Sequence, residues 1–376
     1  MAPVPGPVDS VGSAETSNPA DPVDVTDLGA LLELGGGLRP ADLTDALLAV
    51  DLGGRPSRWG ARAAAAAAAC PIPVVGVLRR PPDPDEEALL DALTCTVAPG
   101  TGELRQIAYA DDVGDDDVSV GLAEMAAAVA AAPRAAVTLD GVLRLTARLP
   151  VWEGLIAEST AYSMLLAGPE FEAWLVAARR PGPPPQDDVP VLVGLDAGPV
   201  LHLQLNRPQR RNAFGRAVRD ALVDGLAIAV ADESLRVLLT GVGPAFCSGG
   251  DLAEFGTAPD PATAHRIRVS RSVGWLLHQL ADRTTVQVHG ACVGAGIELP
   301  SFTSHVVAAP ETTFRLPEVG MGLIPGAGGT VSITKRIGRW RTAWWALTCR
   351  HLTATTALRW GLVDEVDPGP AAGGAG

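Results

Sequence analysis

Between Val200 and Ala308 the chain alternates short apolar runs with helical stretches. Strands are expected at Val200–Leu205, Val237–Thr240, Thr285–His289 and His305–Ala308, and helices between them at Ala213–Ala231, Pro261–Leu280 and Gly294–Thr303. Strands separated by whole helices cannot pair as tight hairpins; they lie parallel and are joined by crossovers. This half of the chain therefore reads as a layered α/β core with parallel sheets. A helix-free stretch precedes it, Arg180 to Pro190 (RPGPPPQDDVP), whose five prolines cannot continue a helix or a central strand. It marks a Pro-rich linker at 181–189 and a domain boundary.

Upstream, residues 29–180 carry helical stretches at Val120–Ala132 and Trp152–Ala178, an alanine run at 63–69, and strand-like runs at Ile72–Leu78 and Ala135–Leu139. The expectation is a mainly helical N-terminal domain over 29–180. Residues 1–28 and 368–376 are rich in Pro, Gly, Ala and Ser and have few large apolar side chains to bury, so both read as flexible tails.

Composition narrows the function. With 43 acidic against 29 basic residues the net charge is −14, which disfavours a nucleic-acid-binding surface. The five cysteines, Cys70, Cys95, Cys247, Cys292 and Cys349, form no CxxC pair, so reduced thiols are expected rather than a disulfide framework or a zinc site. No stretch of about 18 consecutive apolar residues is present, and the first 28 residues lack a positive and an apolar segment. A cytoplasmic protein with no membrane and no nucleic-acid partner is expected. The acidic run Asp111–Asp117 lacks the spacing of a calcium loop and reads as a solvated turn. Dinucleotide, P-loop, serine-hydrolase and zincin motifs are all missing from the sequence.

What stands out is three segments rich in small residues: PAFCSGGDL (244–252), HGACVGAGIEL (289–299) and FRLPEVGMGLIPGAGGT (314–330). The second follows a strand and opens a helix, so free backbone N–H groups and the positive end of the helix dipole meet there, favouring a developing negative charge. A second donor from CSGG at 247–250 would complete an oxyanion hole that polarises a thioester carbonyl. Glu298, in the first turn of that helix, reads on its own as a partner of the helix dipole. Together with the glycine loops and with Glu318, in Leu316–Pro317–Glu318–Val319, it reads as half of a buried acid/base pair.

At this level of detail residues 190–367 resemble the enoyl-CoA hydratase/isomerase (crotonase) family. The resemblance rests on LHLQLNRPQRRNAF (201–214), AFCSGGDL (245–252), HGACVGAGIEL (289–299), LPEVGMGLIPGAGGT (316–330) and LTATTALRWGLVDEV (352–366), which occur in order. It implies a crotonase-like ββα superhelix as the catalytic domain. It further implies that the backbone N–H groups of Ser248 and Ala295 form the oxyanion hole. Glu298 would then hold and activate the attacking water, and Glu318 would deliver a proton to the α-carbon. Arg207, Arg210 and Arg211, with Gly249, Gly250 and Asp251, are implied to bind coenzyme A.

The implied activity is reversible hydration of a 2-enoyl-CoA thioester, with coenzyme A entering only as part of the substrate and no metal or other cofactor. Another reaction of the same family stays open as the alternative: thioester or C–C hydrolysis, isomerisation, or cofactor-free oxygenation. So does a non-catalytic, crotonase-like subunit. The resemblance also implies a homo-oligomer, a trimer or a multiple of one. Ala295 replaces a usual glycine, and Pro300 and Ser304 depart from the family's pattern after Glu298. Family members carry further helices after GLVDEV, whereas a Gly/Ala/Pro stretch follows here. Residues 121–180 loosely resemble those helices, so a permuted layout, with upstream helices in their place, is expected beside the alternative of an unrelated helical domain. Glu158 and Tyr162, one helical turn apart, read either as a wall of the acyl pocket or, more simply, as packed core.

Overall fold

The computed structural model describes residues 23–24, 47–52, 60–99, 103–108, 118–179, 181–182 and 189–367. The two expected tails, apart from Val23 and Asp24, lie outside these residues, as do most of the linker and the acidic run at 111–117.

The second half is built on a sheet of six strands. In spatial order these are Glu365–Val366, His305–Ala308, Thr284–Val288, Arg236–Gly241, Val200–Leu205 and Val191–Leu195. All neighbours are parallel except the last pair. Val200–Leu205 alternates half-buried and buried positions, so Leu201, Leu203 and Leu205 point into one layer, as alternation along a half-covered strand requires. A smaller sheet lies beside it, made of Ala291–Val293, Thr313–Arg315 and Leu352–Thr353. The chain passes from the large sheet to the small one and then into a helix. Strand Thr284–Val288 is followed by Ala291–Val293 and then by helix Ala295–Glu298. Cys247 continues the small sheet through an isolated parallel bridge to Cys292. This strand, strand, helix repeat is the expected ββα arrangement.

Two expected elements change character. The helix foreseen over Gly294–Thr303 stops at Glu298 and gives way to a single 3-10 turn, Pro300–Phe302. Pro300 has no N–H with which to continue the ladder. The strand foreseen at Ala135–Leu139 lies inside helix Pro133–Thr146. There Ala135, Ala136, Leu139, Val142 and Leu143 are buried at helical spacing, and Pro133 sits in the first turn, where a proline's fixed φ is suited.

The N-terminal region is mainly helical over its described residues, as expected, but it also carries a sheet of which the sequence shows only the strand within Ile72–Leu78. This sheet has five parallel strands in sequential order: Val23–Asp24, Leu48–Asp51, Val74–Val77, Cys95–Ala98 and Gln106–Ala108. Strands such as Val74–Val77 (VVGV) and Cys95–Ala98 (CTVA) are buried along their whole length. A strand covered on both faces shows no alternation, so periodicity does not separate it from a buried helical segment. Helices Gly60–Ala69 and Glu87–Ala92 cover one face through a small core of Ala63, Ala67, Leu89, Leu90 and Leu93. On the other face Val75, Val77, Cys95 and Val97 join Leu122, Met125, Val129 and Leu139 in the main core, which continues without a break into the second half.

Helix Gly329–Thr348 joins the two halves. It packs against helices Val118–Ala131, Pro133–Thr146 and Val151–Leu166 and against the N-terminal sheet, and its Trp344 and Trp345 are fully buried. Aromatic contacts reinforce the junction. Trp152 meets Trp275 with ring centroids 5.2 Å apart, and Trp174 meets Phe255 at 5.8 Å. The five cysteines are unpaired thiols. Among the described residues no single helix is long and apolar enough to cross a membrane, and no group of three or more His, Cys, Asp or Glu is placed to hold a metal ion.

Candidate active site

A cavity of about 720 Å³ opens between the upstream helices and the second half, and Glu158, Tyr162, Gly250, Ala295, Glu298 and Glu318 are among its walls. The two glycine loops of the sequence meet at its floor. Val293 N–H donates to the Cys247 carbonyl at 3.0 Å, and a side chain on Gly296 would collide with that same carbonyl. Gly294 turns the chain from strand into helix with φ at +49°. A methyl group there would drive into Oε1 of Glu318, so the missing side chain is what lets the carboxyl approach the helix N-terminus.

The structure revises the oxyanion hole. Ala295 lies at the cavity wall in the first turn of its helix, where its N–H has no intrahelical acceptor. Ser248, by contrast, donates its N–H to the Arg211 carbonyl at 3.0 Å and does not line the cavity. Gly250 does line it, and among the described residues its N–H has no acceptor. The flanking ladder explains the switch: Phe214 N–H bonds to the Gly249 carbonyl at 2.7 Å and Asp251 N–H to the Phe214 carbonyl at 3.2 Å, so the Gly250 amide points the other way. Ala295 and Gly250 are thus the free pair of amides, two residues along the loop from the pairing read in the sequence.

Three carboxyls share the cavity. Oε2 of Glu298 accepts from the amides of Ala327 and Gly329, both at 2.8 Å. Glu158, from helix Val151–Leu166, accepts from Gly328 N–H at 2.7 Å, Thr330 N–H at 2.9 Å and Thr330 Oγ1 at 2.7 Å. Four successive amides of the segment 327–330 are therefore divided alternately between two glutamates, at the N-terminus of helix Gly329–Thr348, where the dipole favours negative charge. Glu318 has no such cradle: among the described residues its buried Oε2 has no hydrogen-bond partner.

Burial disfavours the charged form of all three. It raises Glu298 to about 7 against the pull of the Ala327 and Gly329 amides, and it raises Glu158, with the nearby Glu298 adding to the effect, to about 8. Burial and then the Glu298 charge push Glu318 well above the ordinary carboxylate range. Glu318, whose Oε2 has no donor among the described residues, is thus the acid more readily kept protonated, while Glu298, held by two amides, is the one more readily ionised. Those are the states an acid and a base require.

The residues read as a coenzyme A grip are separated. Arg207 is only 2 % exposed, part of the interior, so it is not available to a phosphate in solvent. Arg210 pairs with the buried Asp251 at 2.5 Å and donates to the Gly182 carbonyl at 3.1 Å. Asp251 thereby anchors the loop, also accepting from Ala253 N–H at 3.0 Å, and it is among the residues that line the cavity. Arg211 is the exposed member of the three, held in left-handed backbone with φ at 50°. Gly249, with φ at +92°, uses its carbonyl for Phe214. Glu158 and Tyr162 line the cavity instead of a closed core. Their signal in the sequence was a polar stripe, Glu158, Ser159, Tyr162 and Ser163, at helical spacing on a largely apolar helix.

Residues 196–371 match the family model described as enoyl-CoA hydratase/isomerase. Over 171 residues, 45 % of this chain and 66 % of the relative, the sequence is 36 % identical to 2,3-dehydroadipyl-CoA hydratase of Escherichia coli (strain K12). Over 179 residues, 47 % of this chain and 70 % of the relative, it is 31 % identical to the enoyl-CoA hydratase/isomerase YhaR of Bacillus subtilis (strain 168). Among solved structures, an enoyl-CoA hydratase of Mycobacterium smegmatis matches with a TM-score of 0.45 and 29 % identity, covering 48 % of this chain and 71 % of that one. The chain thus spans about two thirds of the length of these relatives, and the match begins after the upstream sheet and helices. With paired glutamates at a glycine-opened helix, free amides beside them and relatives of this kind over the same residues, the chain belongs to the enoyl-CoA hydratase/isomerase family.

Proposed function

We propose that the protein catalyses reversible addition of water to a 2-enoyl-CoA thioester. The observation that carries this reading is the unlike pair of buried acids beside Gly294, one cradled by two amides and one with a partnerless oxygen. The thioester oxygen accepts from the N–H groups of Gly250 and Ala295, which draw electrons toward the carbonyl and make the β-carbon electrophilic. Glu298 takes a proton from a water as its oxygen bonds to the β-carbon, and the resulting enolate is held at the same two amides. Glu318 then gives its proton to the α-carbon. A proton returned from Glu298 to Glu318 restores the starting state.

Several family members are named isomerases, and here Glu318 holds its proton without a fixed partner, which favours double-bond migration as the second reading. Coenzyme A enters as part of the substrate, Arg211 is an exposed cation whose carbonyl is bonded to the Ser248 loop, and the protein works in the cytoplasm as a homo-oligomer. The test is turnover of short, long and aryl 2-enoyl-CoA thioesters in ¹⁸O-labelled water by the wild type, Glu298→Gln and Glu318→Gln. Label in a 3-hydroxyacyl product, lost in both variants with thioester binding intact, supports hydration. Unlabelled, shifted alkenes support isomerisation, and binding without any conversion refutes both.

A further inference from the structure

In the cavity wall sits a guanidinium that the proposed hydration does not use. Arg268, on helix Pro261–Ser270, lines the cavity with Ser159 and Tyr162 of the upstream helix. Its Nη1 donates to the hydroxyls of Ser159 and Ser163 at 3.0 and 3.1 Å and to the Ser159 carbonyl at 3.3 Å. Its charge centre lies 4.4 Å above the Tyr162 ring. Ser159 Oγ is further tied to His265 Nδ1 at 2.9 Å, so the hydroxyls that receive Nη1 are themselves fixed.

Among the described residues Arg268 has no carboxylate within ion-pair distance. The other cavity-lining arginine of this wall, Arg271, is paired with Asp220 at 3.0 Å. Arg268 is half-buried, and a guanidinium partly withdrawn from water is better matched by an anion than by neutral acceptors alone. Among the described residues only Nη1 donates to protein acceptors, which leaves Nε and Nη2 for a ligand. Arginine presents those donors as a planar fork that fits a carboxylate in two-point contact.

We propose that Arg268 selects acyl-CoA thioesters whose acyl chain carries a second carboxylate, which it binds at the end remote from the thioester. The proposal rests on the acyl-CoA reading above. Tyr162, whose ring lies 4.4 Å from the guanidinium, also feels the charges of Glu158, Glu298 and Glu318. Glu158, the nearest of those acids, is engaged by three donors of its own. The chain's own acids therefore do not compete for the fork.

Binding of saturated acyl-CoAs separates this proposal from the proposed reaction, since a saturated chain cannot be hydrated. Dicarboxylic acyl-CoAs of four to eight carbons are titrated beside monocarboxylic ones of equal length, against the wild type, Arg268→Met and Arg268→Lys. Tighter wild-type binding of one or more dicarboxylic members is expected, with the preference falling on the order of 30-fold or more in Arg268→Met, as for a desolvated charge pair that loses one partner. Arg268→Lys, which keeps the charge without the fork, is expected to lie between the two. A wild type that binds both series equally overturns the proposal whether or not the variants fold. A preference that survives in a folded Arg268→Met overturns it as well. Loss of hydration with the binding preference intact refutes the reaction and leaves the selection standing.

Discussion

Replacing Gly294 with alanine places the test of the site on one carbon atom. Backbone with φ at +49° and ψ at −118° is not a conformation that L-residues adopt readily, and holding alanine there costs on the order of 1–3 kcal/mol of stability. The new methyl would stand 3.6 Å from Oε1 of Glu298, which is tolerable, but it would overlap Oε1 of Glu318, where ordinary contact begins at 3.4 Å. The Glu318 carboxyl must then retreat by about 1 Å, and a displacement of about that size costs roughly 100-fold in rate when proton transfer depends on position. The expected result is a folded protein with a melting temperature lowered by a few degrees, thioester binding within a few-fold of wild type, and kcat reduced about 100-fold. Initial rates, calorimetric titration of a saturated acyl-CoA and a thermal melt together check it. Full activity in a variant with the expected drop in melting temperature would refute the assignment of proton delivery to Glu318.

Three further outcomes follow from the same geometry. Glu298→Gln and Glu318→Gln should each lower kcat by roughly 10²–10⁴-fold, the range for removing a general acid or base, while leaving thioester affinity nearly unchanged in a direct titration. Glu158→Gln should turn an amide NH₂ toward one of the donors at Gly328 or Thr330, destabilising the protein by about 1–3 kcal/mol in a denaturant titration. The pH dependence has a defined sign: burial raises Glu158 from 4.5 to about 8 and Glu298 to about 7, so the folded state holds their protons more tightly than the unfolded chain. Their contribution is present below about pH 4.5 and is lost as pH rises through about 8, so stability should decline across that window, and less steeply in Glu158→Gln.

Much of the site was legible because backbone chemistry leaves marks that survive in one dimension. Gly294 and Gly296 are demanded by a turn and by a carbonyl in contact, and Glu298 follows Gly294 by one helical turn. The strands Val200–Leu205 and His305–Ala308 appear where alternation and apolar runs put them, because one layer of each is covered by helices. The upstream sheet was legible only at Ile72–Leu78, an apolar run that holds strand Val74–Val77; the strand Cys95–Ala98, likewise covered on both faces, carries no period and was hidden. Amide direction was also hidden. Whether Ser248 or Gly250 presents its N–H to the cavity depends on pairing with Phe214, a residue more than thirty positions away.

What the sequence by itself determined is local: which segments are strand or helix in the second half, where the chain must have no side chain, and which acids stand beside those places. These follow from steric limits and periodicity, which act within a few residues. Only the tertiary structure decided that Glu158 reaches the amides of Gly328 and Thr330, that Arg210 is spent on Asp251, and that Arg268 faces the same cavity without an anion. Each of these joins residues far apart in the chain, and the energy that sets them, the cost of leaving a buried charge or amide unmatched, exists only once the core has closed around it.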